Sequence, residues 1–258
     1  MNITLNDTTK RMLNKVPAVT LAFWIIKIMA TTVGETAADF LNAKLNFGLT
    51  GTSIVMGTLL LIALFAQMKS RRYIPSVYWV AVVLLSVFGT LLTDTLVDNF
   101  GVALETITVG FSLALAATFI AWYVSERTLA IQSITTSRRE WFYWAAILLT
   151  FALGTAAGDL LAEGLHLGYA YSALAFGAVI ALIALAHYAL KLNAVVAFWI
   201  AYVLTRPFGA SFGDLLSQPA AKGGLGLGSV VTTAGFLLTI VGLIGYFTLL
   251  QRAGKTSV

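Results

Sequence analysis

Apolar runs of helical length follow one another along the chain in two alternating kinds. In the first kind a polar side chain returns every fourth position: Lys27, Thr31, Glu35 and Asp39; then Ser86, Thr90, Asp94 and Asp98; then Thr155, Asp159 and Glu163; then Tyr202, Arg206 and Asp214, with Ala210 interrupting the last series. Steps of four keep side chains on one helix face, so each of these runs predicts a helix with a single polar stripe. In the second kind, typified by residues 54–64, almost nothing would be rejected by lipid. The runs fall at about 15–42, 52–67, 73–98, 102–124, 140–163, 171–188 and 192–217, with a last one descending to Leu250. Eight helices of bilayer-spanning length are predicted, the striped ones facing one another and the plain ones facing lipid.

The striped helices are copies of one figure. Trp24, Trp79, Trp144 and Trp199 are each followed ten residues later by a glycine (Gly34, Gly89, Gly154, Gly209) and fifteen residues later by an aspartate (Asp39, Asp94, Asp159, Asp214). The tryptophans step by 55, 65 and 55 residues, which reads as a two-helix unit doubled and then doubled again. Because every unit contains two spans, all four enter the membrane in the same direction. The expected fold is an all-α bundle of four parallel two-helix repeats about an axis along the membrane normal. It forms one transmembrane domain with halves at 15–134 and 135–254, joined through the polar stretch 127–139. The tryptophans are expected to anchor an aromatic belt, together with Trp122, Trp141, Tyr73, Tyr143 and Tyr188. The glycines are expected to mark close helix contacts.

Composition agrees and narrows the function. The chain is 59% hydrophobic and 10% charged with a mean hydropathy of +0.89, which places the protein in the lipid bilayer and leaves no length for a soluble domain. Residues 1–14 read as a polar lead rather than a cleaved signal. The net charge of +5 does not point to nucleic acid, because it is a topology signal. Twelve of the sixteen basic residues (Lys10, Arg11, Lys15, Lys69, Arg71, Arg72, Arg127, Arg138, Arg139, Lys191, Arg252, Lys255) fall on one side of the spans, against Lys44 and Lys222 on the other. Both termini are therefore expected in the cytoplasm. Zero cysteines exclude thiolate chemistry, and His166 and His187 are too few and too far apart for a zinc or haem centre. No oligomeric state is assigned.

Hard oxygen ligands remain. Fifteen residues past each tryptophan is about 22 Å along a helix, so the four aspartates lie toward the far side of the bilayer. The stripes would bring Glu35, Asp39, Asp94, Asp98, Asp159 and Asp214 toward one axis, where carboxylates must hold protons, a cation or water. Glu35, Asp39, Asp94, Asp159 and Asp214 are candidate metal ligands, with Thr31, Thr32, Thr90, Thr93 and Thr155 supplying hydroxyls. Helix capping is the plain alternative, and it suits Asp98 and Glu163. Lys27 and Arg206, the only basic residues inside the spans, are expected to act as counter-charges or gates across the bundle. The alternative for Arg206-Pro207 is a kink with a snorkelling arginine. Glu105, Glu126 and Glu140 read as solvated or helix-end charges.

Lys15-Val16-Pro17, Phe23-Trp24, Lys27, Thr31-Thr32, Gly34-Glu35 and Asp39 resemble the opening repeat of a bacterial inner-membrane family of four tandem two-helix repeats, each marked by a tryptophan. The resemblance covers essentially the whole chain and implies architecture and location, the family being one of unknown function. The glutamate position is Thr90 in the second repeat and Ala210 in the fourth, so a role carried over for Glu35 is confined to the first. The residues themselves point to a transporter of a small cation, such as Mn²⁺ or Mg²⁺, coupled to protons through the carboxylates, and not to an enzyme. Two other functions are weighed: a carrier of a small organic or anionic solute held by Lys27 and Arg206, and an intramembrane aspartyl-type hydrolase. For the hydrolase, Gly158-Asp159 and Gly213-Asp214 supply half of a Gly-x-Gly-Asp motif.

Overall fold

The computed structural model describes residues 14–44 and 48–252. Eight helices in it are long and apolar enough to cross a membrane. They are α1 (Leu21–Lys44), α2 (Gly48–Lys69), α3 (Pro75–Asp94), α4 (Leu104–Glu126), α5 (Ser137–Asp159), α6 (Tyr169–Leu190), α7 (Ala194–Ser217) and α8 (Ser229–Arg252). The protein is an all-α, multi-pass membrane protein of four two-helix repeats. Most of the polar lead with Lys10 and Arg11, the tail with Lys255, the side chains of Lys44 and Arg252, and residues 45–47 of the first turn lie outside the described residues.

Local sequence sets the helix ends. Pro75 opens α3, where its missing N–H costs nothing. The side chain of Asn193 accepts from the Val195 and Val196 N–H groups at the start of α7, and Thr136 caps α5 by accepting from Arg139 N–H. Helices α4 and α6 end on Arg127 and Lys191, both in left-handed conformation.

The striped helices form the inside. Buried residues make up 67%, 50%, 61% and 56% of the most apolar stretches of α1, α3, α5 and α7, against 17%, 17%, 6% and 17% for α2, α4, α6 and α8. Each inner helix packs against two others, α1 on α3, α3 on α5, α5 on α7 and α7 on α1, so the inner ring is closed. The outer helices are offset. Helix α2 packs on α3, α4 on α5, α6 on α7, and α8 on α1, whereas the two helices of one repeat scarcely meet. The unit of packing is thus shifted by one helix from the unit of sequence. Shape explains the shift at two of the contacts. Phe88 and Phe208, each nine past its tryptophan, fill the space left by Gly57 of α2 and Gly177 of α6. The connection between the halves is no packing boundary, since α4 rests on α5 across it.

Two cyclic contacts join the inner ring. At the tryptophan end an aromatic residue precedes every tryptophan: Phe23, Tyr78, Tyr143 and Phe198. Each tryptophan packs on the aromatic residue of its neighbour. Ring centroids are 5.7 Å apart for Trp79 and Phe23, 5.6 Å for Trp144 and Tyr78, 6.3 Å for Trp199 and Tyr143, and 5.6 Å for Trp24 and Phe198. Tyr78 and Tyr143 also share a hydrogen bond of 2.5 Å between their hydroxyls. The expectation of belt anchors is therefore corrected. Trp79, Trp144 and Trp199 are buried and Trp24 half-buried, because an indole gains more by stacking inside this collar than by facing headgroups. Trp122 and Tyr143 are buried as well, while Trp141 and Tyr188 are exposed as a belt requires.

About 15 Å further in, ten residues past the tryptophans, the repeated glycines make the second cyclic contact. A Cβ on Gly34 would lie 2.5 Å from Cβ of Ser86, one on Gly89 2.8 Å from Cβ of Phe151, one on Gly154 2.5 Å from Cβ of Arg206, and one on Gly209 2.7 Å from Cβ of Thr31. Each glycine meets the residue seven past the tryptophan of the next helix. Only glycine allows backbones this close.

Glu140 departs from expectation too. It is 1% exposed and accepts from Lys15 Nζ at 2.6 Å, and the same amine donates to the Met68 carbonyl at 3.0 Å. The pair ties the lead into α1, the end of α2 and the start of α5 together, which repays the burial of the carboxylate. Glu126 is likewise paired, accepting from Arg139 Nε at 2.8 Å.

Gly209→Leu is expected to lower stability by about 3 kcal/mol through overpacking at the α7–α1 contact. Gly110→Leu, on the lipid side of α4 with nothing within 4 Å, is expected to leave it unchanged. Thermal unfolding of the two variants in the same detergent compares them.

Candidate functional site

Arg206 occupies the centre of the inner ring. Its side chain is wholly buried, and Nη2 donates to Glu35 Oε2 of α1 at 2.8 Å, to Thr155 Oγ1 of α5 at 2.7 Å and to Thr90 Oγ1 of α3. Nη1 donates to the Thr31 carbonyl at 3.2 Å. One guanidinium nitrogen thus touches three helices from a fourth, which is possible only on the bundle axis. Glu35, Thr90 and Thr155 share one register, eleven past the tryptophan, and the fourth member of that level is Ala210 on the helix that bears Arg206. A small residue there leaves room beside the guanidinium. The snorkelling alternative is excluded by complete burial, and α7 runs unbroken through Pro207. The cross-bundle counter-charge expected of Arg206 is present, with Glu35 as its partner.

The carboxylates converge in part. One oxygen each of Glu35, Asp159 and Asp214 lies within 4.8 Å of the others, just beyond the guanidinium toward the aspartate end. Glu35 sits one turn before the aspartate register. Asp39 and Asp94 are half-buried and stand outside this group of three, which narrows the predicted ligand set. Asp39 is held by Gln218 Nε2 at 3.2 Å. Gln218 is placed by the glycine-rich loop, which folds back so that Leu225 and Leu227 N–H groups cap the Leu215 and Leu216 carbonyls of α7. Asp98 and Glu163 are exposed, Glu163 accepting from the Tyr169 hydroxyl at 2.8 Å, as helix-end residues would be. A single π-helical turn follows both Asp94 and Asp159, an irregularity common at functional positions.

The threonines divide. Thr90 and Thr155 turn their hydroxyls to Arg206, with Thr90 Oγ1 also 3.4 Å from Glu35 Oε2. Thr31 spends its hydroxyl on the Ile28 and Thr205 carbonyls and offers the site its own carbonyl instead. Thr93 is likewise taken by the Ala152 carbonyl of α5 at 3.0 Å.

Lys27 does not pair with a carboxylate. Its Nζ lies 4.3 Å from the centroid of Phe151 and 4.2 Å from that of Tyr202, against both rings and fully buried. Among the described residues the two rings are its only partners, through cation–π attraction. Along the axis from the tryptophan end, the order is aromatic collar, caged lysine, guanidinium level and carboxylate cluster. Thr155 belongs to the expected hydroxyls and was legible from its register, whereas Gln218 was not among the expected site residues. The aromatic residue before each tryptophan was equally legible. Gln218 was not, since only the loop fold brings it to Asp39.

The sequence repeats match a family model described as a repeat of unknown function (DUF347), at residues 22–73, 77–128, 142–193 and 197–253. The chain belongs to that family. Each match opens two residues before a tryptophan and takes in one inner helix and the outer helix that follows. The DUF347 repeat is therefore the sequence unit, not the packing unit. No curated protein and no solved structure matches the chain.

Glu35→Gln and Arg206→Met are each expected to destabilise the protein by about 3–5 kcal/mol, since each leaves a buried partner alone. The double variant should cost less than the sum of the two. Unfolding midpoints of the four proteins form the cycle that checks this.

Proposed function

We propose that the protein is a transporter of a small hard cation, of the Mn²⁺ or Mg²⁺ class, in the bacterial inner membrane with both termini in the cytoplasm. The observation that carries this reading is the meeting of Glu35, Asp159 and Asp214 oxygens within 4.8 Å beside the bundle axis. Oxygens bound to one hard ion lie about 2.0–2.6 Å from it, so a set no wider than this suits a shared ion. Three carboxylates with hydroxyls nearby favour such ions over soft metals.

Charge balance supports proton exchange as the coupling. Glu35 is matched by Arg206, and Asp159 and Asp214 together balance one divalent ion or, when it leaves, hold protons in its place. The guanidinium on the axis and the aromatic collar beyond it favour a carrier with alternating access over an open pore. The orientation rests on the basic residues of the connections at the tryptophan end.

Two unpartnered donors give the anionic or organic solute reading its own support: Lys27 Nζ and Arg206 Nε have no hydrogen-bond partner among the described residues. The hydrolase reading gains less. A Cβ on Gly213 would lie 3.3 Å from Thr36 Cγ2, a tight fit that gives this glycine a packing reason, whereas one on Gly158 would meet Ala210 Cβ at 3.5 Å in ordinary contact.

In proteoliposomes carrying a pH gradient, the protein is expected to move Mn²⁺ or Mg²⁺ against a flow of protons. Asp159→Asn and Asp214→Asn should each weaken cation binding by at least about tenfold, the loss that even a supporting residue costs a metal site. Asp98→Asn, at an exposed helix end, should not. Transport and thermal stability indifferent to every divalent ion and to pH would overturn the proposal. Loss of binding of a small anion in Lys27→Met would favour the solute carrier.

A further inference from the structure

The ten extra residues that lengthen the middle tryptophan step reach back onto the inner helix α7. The chain between α4 and α5 folds so that the Leu129 carbonyl accepts from the indole N–H of Trp199 at 2.9 Å. Leu129 thereby becomes one wall of a groove of about 410 Å³, whose other walls are Phe119 of α4 and Val196, Trp199, Ile200 and Val203 of α7. Every lining side chain is apolar apart from the indole N–H, and that is already satisfied. Val196 and Ile200 are 47% and 38% exposed on a membrane-spanning helix, so the groove opens to the acyl-chain region and not to water.

Two cations stand close in the chain to lining residues at the tryptophan end of the groove. Arg127, two residues before Leu129, and Lys191, four before the lining residue Val195, are both exposed and form no ion pair among the described residues. The nearby carboxylate of Glu126 is occupied by Arg139 and Arg138. The positive end of the α7 dipole at Ala194 adds to the same field.

We propose that this groove binds one anionic phospholipid, its acyl chain lying against α4 and α7 and its headgroup held by Arg127 and Lys191. The shape accounts for the chain, and the two cations account for the charge. A zwitterionic lipid would fill the groove without using the two cations. The proposal does not depend on the transport reading, because it concerns the outside of the ring and a different end of the molecule.

The test uses the full chain purified in detergent and exchanged with equal amounts of phosphatidylglycerol and phosphatidylcholine, the retained lipid being counted by native mass spectrometry. Phosphatidylglycerol should be retained in preference. Arg127→Asn with Lys191→Asn, chosen because asparagine accepts the left-handed backbone found at both positions, should reduce that preference by about fivefold per charge. Val196→Trp, which fills the groove and leaves the two cations in place, should lower the retained phosphatidylglycerol as well. Arg71→Gln with Arg72→Gln, two exposed cations on the connection before α3, should have no effect. Thermal unfolding in the absence of lipid shows that each variant is folded. The proposal is overturned if the two lipids are retained equally, if the groove-filled or asparagine variants keep the full preference, or if neutralising Arg71 and Arg72 lowers it just as much.

Discussion

A single guanidinium on the axis of a lipid-embedded bundle governs most of what surrounds it. A buried guanidinium is stabilised there by an ion pair and by hydrogen bonds, and Arg206 finds both, its Nη2 drawing an acceptor from each of the other inner helices. Glycine at 154 follows from the same requirement, because the stem of Arg206 leaves α7 where α5 crosses it. So does alanine at 210, which clears the fourth place in the guanidinium level. The carboxylate cluster beyond inherits its geometry, since Glu35 is pinned by Arg206 at one oxygen while it approaches Asp159 and Asp214.

Around this asymmetric centre the scaffold is close to fourfold. Tryptophan on preceding aromatic, and glycine on the residue seven past the next tryptophan, are contacts repeated at every step of the ring. Both hold helices together through close fit, the force available when lipid is as apolar as the side chains. The last outer helix returns to cover the first inner one, so the chain closes on itself although its repeats are strung in a line. The polar positions break the symmetry. Lysine, glutamate and arginine each occur once in the levels where other repeats carry apolar or hydroxyl side chains, and those single occurrences build the site.

The comparison of sequence with structure is clearest residue by residue. The stripes at steps of four identified the inner helices, and the glycine register identified the close contacts, because both depend only on helical periodicity. The tryptophans were read as facing headgroups, which misjudged where an amphipathic ring is most stable when aromatic neighbours surround it. Glu140 was read as solvated, because its partner Lys15 is far away in the chain. The five candidate metal ligands were read as one gathering, yet three meet and two do not. Gln218 draws Asp39 aside, and nothing local to either residue announces that contact.

The sequence by itself determined the number of spans, the parallel sense of the repeats, the inner and outer classes of helix and the family, since each follows from hydropathy and from spacing along the chain. Only the tertiary structure decided who touches whom across the bundle: the offset of packing unit from repeat, the collar, the pairing of Arg206 with Glu35 and not Lys27, and the choice of three carboxylates from five. The reason is physical. Period and register fix the face on which a side chain lies, whereas partnership depends on the order of helices around the axis and on side-chain reach, and neither is written in any single repeat.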